Sequence, residues 1–350
     1  MRPLNIAVAG AGLIGRRHIE LIQASGECRL AAVVDPADAA VGLAREAGVP
    51  RFKTLAELFA GQRPDGVIIA TPNQLHVDNG LACIDAGVAA LIEKPVAHTL
   101  EAGMSLARRA GQTGATLLVG HHRAHSPILA RARALIRDGV LGELVAVTGS
   151  AMFYKPDDYF DAAPWRRQAG GGPILINLIH EIGNLRSLCG EIVAVQAMAS
   201  NRTRRFEVED TVSIGLRFAS GALGSFMLSD TAASARSWEQ TSQENKAYPS
   251  HADEDCYLIA GTAGSLAMPT MRLKTYPSRE DRSWFKPFES SVVELTRHDP
   301  LALQLAHFCA VIRGEMQPLV TVHDGLQNLR IVEAISEAVR TGTTVETSSA

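Results

Sequence analysis

The chain opens on an apolar run, LNIAVA at 4–9, that stops at Gly10-Ala11-Gly12-Leu13-Ile14-Gly15. A stretch with helical spacing follows, carrying His18, Ile19, Leu21 and Ile22, and then LAAVV at 30–34 closes on Asp35-Pro36. Short apolar run, amphipathic stretch, short apolar run: this order predicts strand, helix, strand. The rhythm continues. Helical spacing over 37–47 and 54–60 precedes GVIIA at 66–70. Helical spacing over 75–86 precedes VAALI at 88–92, and helical spacing over 99–113 precedes ATLLV at 115–119. Continuously apolar strands alternating with helices are those of a parallel sheet covered on both faces. Residues 1–123 are therefore expected to form a doubly wound Rossmann domain.

From residue 124 the pattern changes. TVSIGLRF at 211–218 alternates cleanly, with Val212, Ile214, Leu216 and Phe218 on one side. A period of two marks a strand with one buried face. Segments 143–149, 192–199 and 222–228 also read as extended, and 256–261 with 264–268 as a hairpin pair. The expected fold class is α/β: the Rossmann domain, then an α+β domain over 124–350 with an open, mainly antiparallel sheet. Residues 232–250, the arginines Arg202, Arg204 and Arg205, and the acidic run ending at Asp255 read as solvated loops.

The polar residues that could do chemistry collect at strand ends. In a doubly wound sheet, ligands bind beyond the carboxyl ends of the strands, so Gly12, Asn73, Lys94 and Arg123 are expected around one crevice. The glycine stretch has the form GxGxxG between a strand and a helix. Gly10 permits the turn, Gly12 lets the backbone approach a pyrophosphate, and Gly15 lets helix pack on strand. Leu13 and Ile14 complete the loop, and the helix N-terminus offers N–H groups to phosphate. Asp35, 20 residues beyond Gly15, suits the ribose hydroxyls of a dinucleotide. Its charge repels a 2′-phosphate, and 36–41 hold no Lys or Arg, which favours NAD over NADP.

Composition narrows the class without changing it. The 350 residues are 46% hydrophobic and 20% charged, with a formal charge of −3, so a large core is possible and a general affinity for nucleic acid or acidic membranes is not expected. The five cysteines share no CxxC spacing and read as reduced thiols of a cytoplasmic protein. The apolar start is broken by glycines and followed by Arg16-Arg17, which fits a strand–turn–helix better than a signal peptide. No apolar stretch reaches the ~18 residues of a membrane span. His121, His122 and His125 lack nearby Cys, Asp or Glu partners, so no metal site is expected.

Five motifs in order carry a family resemblance: AGAGLIG at 9–15, ATPNQLH at 70–76, EKP at 93–95, GGG at 170–172 leading to His180, and DGLQNLRIVEAISEAVRTGTTVE at 324–346. Together they resemble the Gfo/Idh/MocA oxidoreductases. The resemblance implies that Lys94 is an active-site lysine near the nicotinamide and that His180 is a proton-transfer residue. It implies that Thr71, Pro72, Asn73, His76 and Glu93 line the cofactor, and that Arg123, Trp165 and Arg166 lie near the substrate. It also implies a homodimer or homotetramer packed through the open sheets. The chain departs from the family pattern at two positions. Ile176 replaces the usual Asp or Asn four residues before His180, with Asn177 beside it, and Gly183 replaces the usual Asp three residues after.

An NAD-dependent dehydrogenase acting on a polyhydroxylated alcohol follows as the expectation. On a helix beginning near 174, Asn177 and His180 share a face. His180, with a reference pKa of ~6.5, suits reversible proton transfer, and Lys94 suits a developing negative charge; a desolvated Lys94 is the alternative base. Tyr154, Trp165 and Arg166 offer an aromatic wall and donors to a sugar, cyclic polyol or sugar acid. Two other classes stay open at this level: an NAD-binding sensor, and an enzyme that retains NAD and modifies a sugar by transient oxidation.

Overall fold

In the computed structural model, which describes residues 2–347, the glycine stretch folds as a strand–turn–helix. β1 (Leu4–Ala9) enters the turn, α1 (Leu13–Ala24) leaves it, and β2 (Cys28–Val34) returns parallel to β1. Next come α2 (Ala39–Glu46), β3 (Arg51–Phe52), α3 (Leu55–Gly61), β4 (Gly66–Ile69), α4 (His76–Asp85), β5 (Ala89–Glu93), α5 (Leu100–Thr113) and β6 (Leu117–Gly120). Local chemistry sets the helix ends. Thr99 caps α5 by accepting from Ala102 N, and Gly114 ends it in the left-handed region at φ 64°. The six strands are parallel in the order β3-β2-β1-β4-β5-β6. Consecutive strands pass to opposite sides of β1, so the switch point lies where β1 and β4 end.

The second compact unit begins at Ser126. It contains α6 (Pro127–Arg137), β7 (Leu144–Met152), α7 (Asp157–Asp161), α8 (Ile179–Cys189), β8 (Ile192–Ser200), β9 (Thr211–Phe218) and β10 (Leu223–Ser229). It continues with α9 (Trp238–Thr241), β11 (Tyr257–Gly261), β12 (Gly264–Met268), β13 (Arg272–Thr275) and β14 (Glu289–Val292). With a final short β15 (Val345–Glu346) they make a nine-stranded sheet, order β14-β13-β12-β11-β7-β10-β9-β8-β15. Every pairing is antiparallel except β7 with β10. The alternating residues Val212, Ile214, Leu216 and Phe218 are buried in one cluster with Ile128 and Leu129 of α6 and Ile182 and Leu185 of α8. On the other face Met198, Leu223, Met227 and Leu258 are exposed.

The chain then returns to the first unit. α10 (Pro300–Ile312) places Leu305, Phe308 and Cys309 in a core cluster with Ile6, Val8 and Ile19. Leu326, near the start of α11 (Val322–Thr341), joins the cluster that holds Ile69, Ile92 and Leu106. The first unit is therefore residues to His125 plus Pro300–Leu329, and the second is Ser126–Asp299 plus the chain from Arg330. A single cut after 123 does not describe this division. An apolar helical stripe shows that a helix packs, not which sheet it packs on.

Three loop expectations also differ. Segment 232–250 contains α9, whose Trp238 is buried and donates to Glu244 Oε2 at 3.1 Å. Asp255 is buried and accepts from Thr270 N at 2.9 Å and Arg272. The side chain of Arg204 is 5% exposed and pairs with Asp230 at 3.0 Å. In each case a polar residue found a distant partner, which no local pattern encodes. The five cysteines are buried and unbridged. No described helix is long and apolar enough to cross a membrane.

Candidate active site

The glycine turn is tight for steric reasons. Gly10 has φ 98°, and a Cβ there would lie 2.4 Å from Ala70 O. A Cβ on Gly15 would lie 1.9 Å from Gly10 O. Gly12 differs: nothing stands within 4 Å of where its Cβ would be, and it caps α1 with no side-chain hydrogen bond. The first-turn N–H groups of α1 thus lack a side-chain acceptor, and Leu13 beside them is exposed. At Gly12 the turn leaves open space beside first-turn N–H groups, which is the arrangement that phosphate recognition uses.

Asp35, at the end of β2, is anchored to this turn. Its Oδ2 accepts from Ala11 N at 2.7 Å and its Oδ1 from Ala37 N at 2.8 Å. Arg51 of β3 reaches the same place, donating to Asp35 O at 2.8 Å and Pro36 O at 2.6 Å. The segment 36–41 holds no cation, but its neighbour in the sheet supplies one.

At the ends of β4 and β5 the side chains interlock. Thr71 and Pro72 lead into a 3₁₀ turn, Asn73–Leu75. His76 is buried, with Nδ1 2.7 Å from Pro95 O and Nε2 2.8 Å from Thr71 O. Burial pushes the imidazole pKa down against the pull of both carbonyls. The ring thus spans the Thr71 and Pro95 carbonyls, one from each loop. Asn79 donates to Thr71 Oγ1 at 3.2 Å. Glu93 is buried between His18 Nε2, at 2.8 Å, and the Lys94 backbone N, at 3.3 Å. Lys94 is half-buried, and the Lys94–Pro95 peptide is cis.

His76 and Glu93 thus spend their polar atoms on the protein itself. They brace the two loops around Lys94. The helix residue His18, which the sequence reading did not single out, completes this brace. Burial would raise the Glu93 carboxyl, but the His18 hydrogen bond and charge, with His122 and Lys94, hold it below the ordinary 4.5. A carboxyl depressed in the folded state adds stability that is full above its unfolded pKa and is lost as pH falls through its folded one. The Glu93→Gln variant is expected to melt lower at neutral pH and to lose less on acidification. Melting temperatures at pH values spanning the carboxylate range check this; parallel curves for the two proteins would refute it.

Arg123 is buried in the 3₁₀ turn His122–His125 that follows β6, and His121 Nε2 lies 3.2 Å from Asn328 Nδ2. Among the described residues no group of three or more His, Cys, Asp or Glu is arranged to hold a metal ion.

The second unit carries its own polar cluster. The helix that Gly172 opens widens into a π-helical stretch, Ile174–Leu178, before α8. Asn177 lies in that stretch, and His180, buried, lies in the first turn of α8. The π-turn alters the i, i+3 geometry on which a shared face was expected. Gly172 has φ 80°, and a Cβ there would lie 2.6 Å from Glu209 Oε1, which accepts from Ile174 N at 2.9 Å. Burial raises the Glu209 pKa.

Asn177 Oδ1 accepts from Lys155 Nζ at 2.7 Å, and Lys155 faces Asp230 Oδ2 at 3.4 Å. Burial brings Lys155 down to about 8, opposed by Asp230 and reinforced by Arg166 and Arg204. Arg166 stacks 3.8 Å over the Tyr159 ring and donates to Tyr159 O at 2.5 Å. Trp165 and Tyr154 are exposed, with Arg204 5.1 Å from the Tyr154 ring. Lys155, Asp230 and Glu209 escaped the sequence reading, and Arg204 entered it only as a loop residue. The one local signal was Lys155-Pro156, which repeats the lysine–proline pair of Lys94-Pro95.

Comparison with known proteins matches this architecture. Residues 4–121 match the oxidoreductase family model for an NAD-binding Rossmann fold, and residues 129–267 match the GFO/IDH/MocA C-terminal domain. The 1,5-anhydro-D-fructose reductase of Ensifer adhaerens is 28% identical over 345 residues, 96% of each chain. The scyllo-inositol 2-dehydrogenase (NAD(+)) of Bacillus subtilis (strain 168) is 28% identical over 353 residues, covering 97% of this chain and 95% of that one. Among solved structures, the aldose-aldose oxidoreductase of Caulobacter crescentus complexed with glycerol superposes with TM-score 0.79 at 25% identity, covering 99% of this chain and 100% of that one. The WlbA dehydrogenase of Bordetella pertussis, in complex with NADH and UDP-GlcNAcA, shares the fold with TM-score 0.79 at 24% identity over 99% of each chain. The chain belongs to the Gfo/Idh/MocA family, the oxidoreductases with an NAD-binding Rossmann fold.

Proposed function

We propose that the protein is an NAD-dependent dehydrogenase acting on a secondary alcohol of a sugar, cyclic polyol or sugar acid. The observation that carries this reading is the bracing of Lys94 at the end of β5 by Glu93, His18 and His76, in the same unit as the glycine cradle. A lysine that merely decorated a strand end would need no buried histidine–carboxylate hydrogen bond and no second histidine beside it. Thr71, Pro72 and Asn73 shape the same end of the sheet.

A bound NAD would supply the acceptor for the hydride that leaves the alcohol carbon. Gly10, Gly12 and Gly15 with α1 hold its phosphates, and Asp35 its adenosine ribose. Lys94 donates a hydrogen bond to the reacting oxygen and stabilises its developing charge. His180 accepts the hydroxyl proton as that charge develops. Arg123, Tyr154, Trp165, Arg166 and Asn177 are the candidate contacts to the remaining hydroxyls. The same reading includes a homodimer or homotetramer packed through the exposed sheet face of Met198, Leu223, Met227 and Leu258.

A panel of polyols, aldoses and sugar acids, each with NAD and with NADP, tests this by the absorbance of reduced cofactor. Turnover of at least one polyhydroxylated alcohol, with NAD preferred, is the expected result. In Asp35→Ala the preference is expected to move toward NADP, because Arg51 then faces the ribose without a competing carboxylate. No reduced cofactor with any member of the panel would end the dehydrogenase reading.

A further inference from the structure

Asn177 stands beside the position, Ile176, at which the chain departs from its family pattern. Its carboxamide has a defined orientation. The group 2.7 Å from Oδ1 is the Lys155 ammonium, which can only donate. The amide oxygen therefore faces Lys155 and the NH2 group faces away. Asn177 is half-buried, and its Nδ2 donates to no described residue. One amide donor is thus left pointing away from the protein's own acceptors, one turn before His180.

Lys155 has the marks of a group kept for a purpose other than charge balance. Its side chain is 10% exposed, and an ammonium so buried is costly unless well paired. Pairing with Asp230 does not explain it. Arg204 already meets Asp230 at 3.0 Å, closer than the 3.4 Å of Lys155. Arg204 also donates to the Lys155 carbonyl at 2.7 Å, which ties the lysine's backbone to the same carboxylate. Tyr159 covers the ammonium, its ring centre 4.9 Å away. The shortest contact of the ammonium is the one to Asn177.

We propose that Lys155 is a positioning residue: it locks the Asn177 carboxamide so that Nδ2 donates to an oxygen of the substrate. The assignment rests on the dehydrogenase reading above and narrows it. A fixed donor selects an acceptor, so the substrate presents a hydroxyl, carbonyl or carboxylate oxygen there, and Asn177 serves neither as base nor as acceptor.

A double-mutant cycle on the alcohol that wild type oxidises best tests this. Lys155→Met and Asn177→Ala are each expected to lower kcat/KM for the alcohol about tenfold, the scale of one lost hydrogen bond. The KM for NAD stays at its wild-type value. The double variant is expected within about twofold of the worse single one, since Lys155 acts through Asn177. Lys155→Gln, which keeps a donor, recovers part of the loss. If Lys155→Met does not fold, Lys155→Gln with Asn177→Ala completes the same cycle. Losses that multiply, or wild-type kcat/KM in Lys155→Met, overturn the assignment while leaving the dehydrogenase reading intact. A wild type that oxidises nothing in the panel removes that reading first, before any variant is compared.

Discussion

Replacing Lys94 by Ala is expected to lower kcat by at least ~100-fold, the scale of a lost acid–base or charge-stabilising group, while NAD binds as in the wild type. The structure explains why the two effects separate. The loop around Lys94 is held by its neighbours: Glu93 is locked by His18, and the Pro95 carbonyl by His76. Removing a half-buried amine leaves that frame standing, and the glycine cradle is built from other segments. On the proposed reading, in which the imidazole takes the hydroxyl proton, His180→Ala is expected to lose a similar factor. If the two residues act in one step, as proposed, the double variant is expected to be little worse than either single one. Steady-state kinetics with calorimetric titration of NAD checks all three. Wild-type turnover in either single variant would defeat the catalytic assignment.

The second large effect is a contrast between two glycines of one turn. In Gly15→Ala the new methyl would sit 1.9 Å from the Gly10 carbonyl oxygen. Both atoms are fixed by the chain, so no side-chain rotation relieves the clash, and β1 and α1 must move apart. A loss of stability of about 3 kcal/mol or more is expected, together with loss of measurable NAD binding. Gly12→Ala meets nothing within 4 Å. It is expected to melt as the wild type does and yet bind NAD at least about tenfold more weakly, because the methyl occupies space the pyrophosphate needs. Thermal melts and NAD titrations of the two variants decide the point. Equal stability of Gly15→Ala and wild type would contradict the packing described for the turn. Unchanged NAD affinity in Gly12→Ala would contradict the cradle.

The parts of the candidate site that were legible in the sequence share a property. Each is local in the chain and rests on a residue type with few substitutes. Gly10 and Gly15 are needed by backbone geometry, Asp35 stands out by its place after a strand, and Lys94 and His180 entered as candidates through the family resemblance of their motifs. The residues that surround them were not legible. His18 lies 75 positions from the Glu93 it bonds, and Lys155 lies 22 from Asn177. A histidine on an apolar helix face or a lysine in a loop has no local mark of its partner.

What the chain determined by itself is the alternation of apolar and polar positions, and through it the parallel sheet, the mostly antiparallel sheet, and the ends at which reactive residues sit. That information is local because side-chain period and turn chemistry act over a few residues. The tertiary structure alone decided which sheet α10 covers, that Arg204 and Asp255 are buried, that Arg51 comes beside Asp35, and that Lys155 faces Asn177. These depend on which distant segment supplies the opposite charge or the matching apolar face, and only the folded packing brings that segment near.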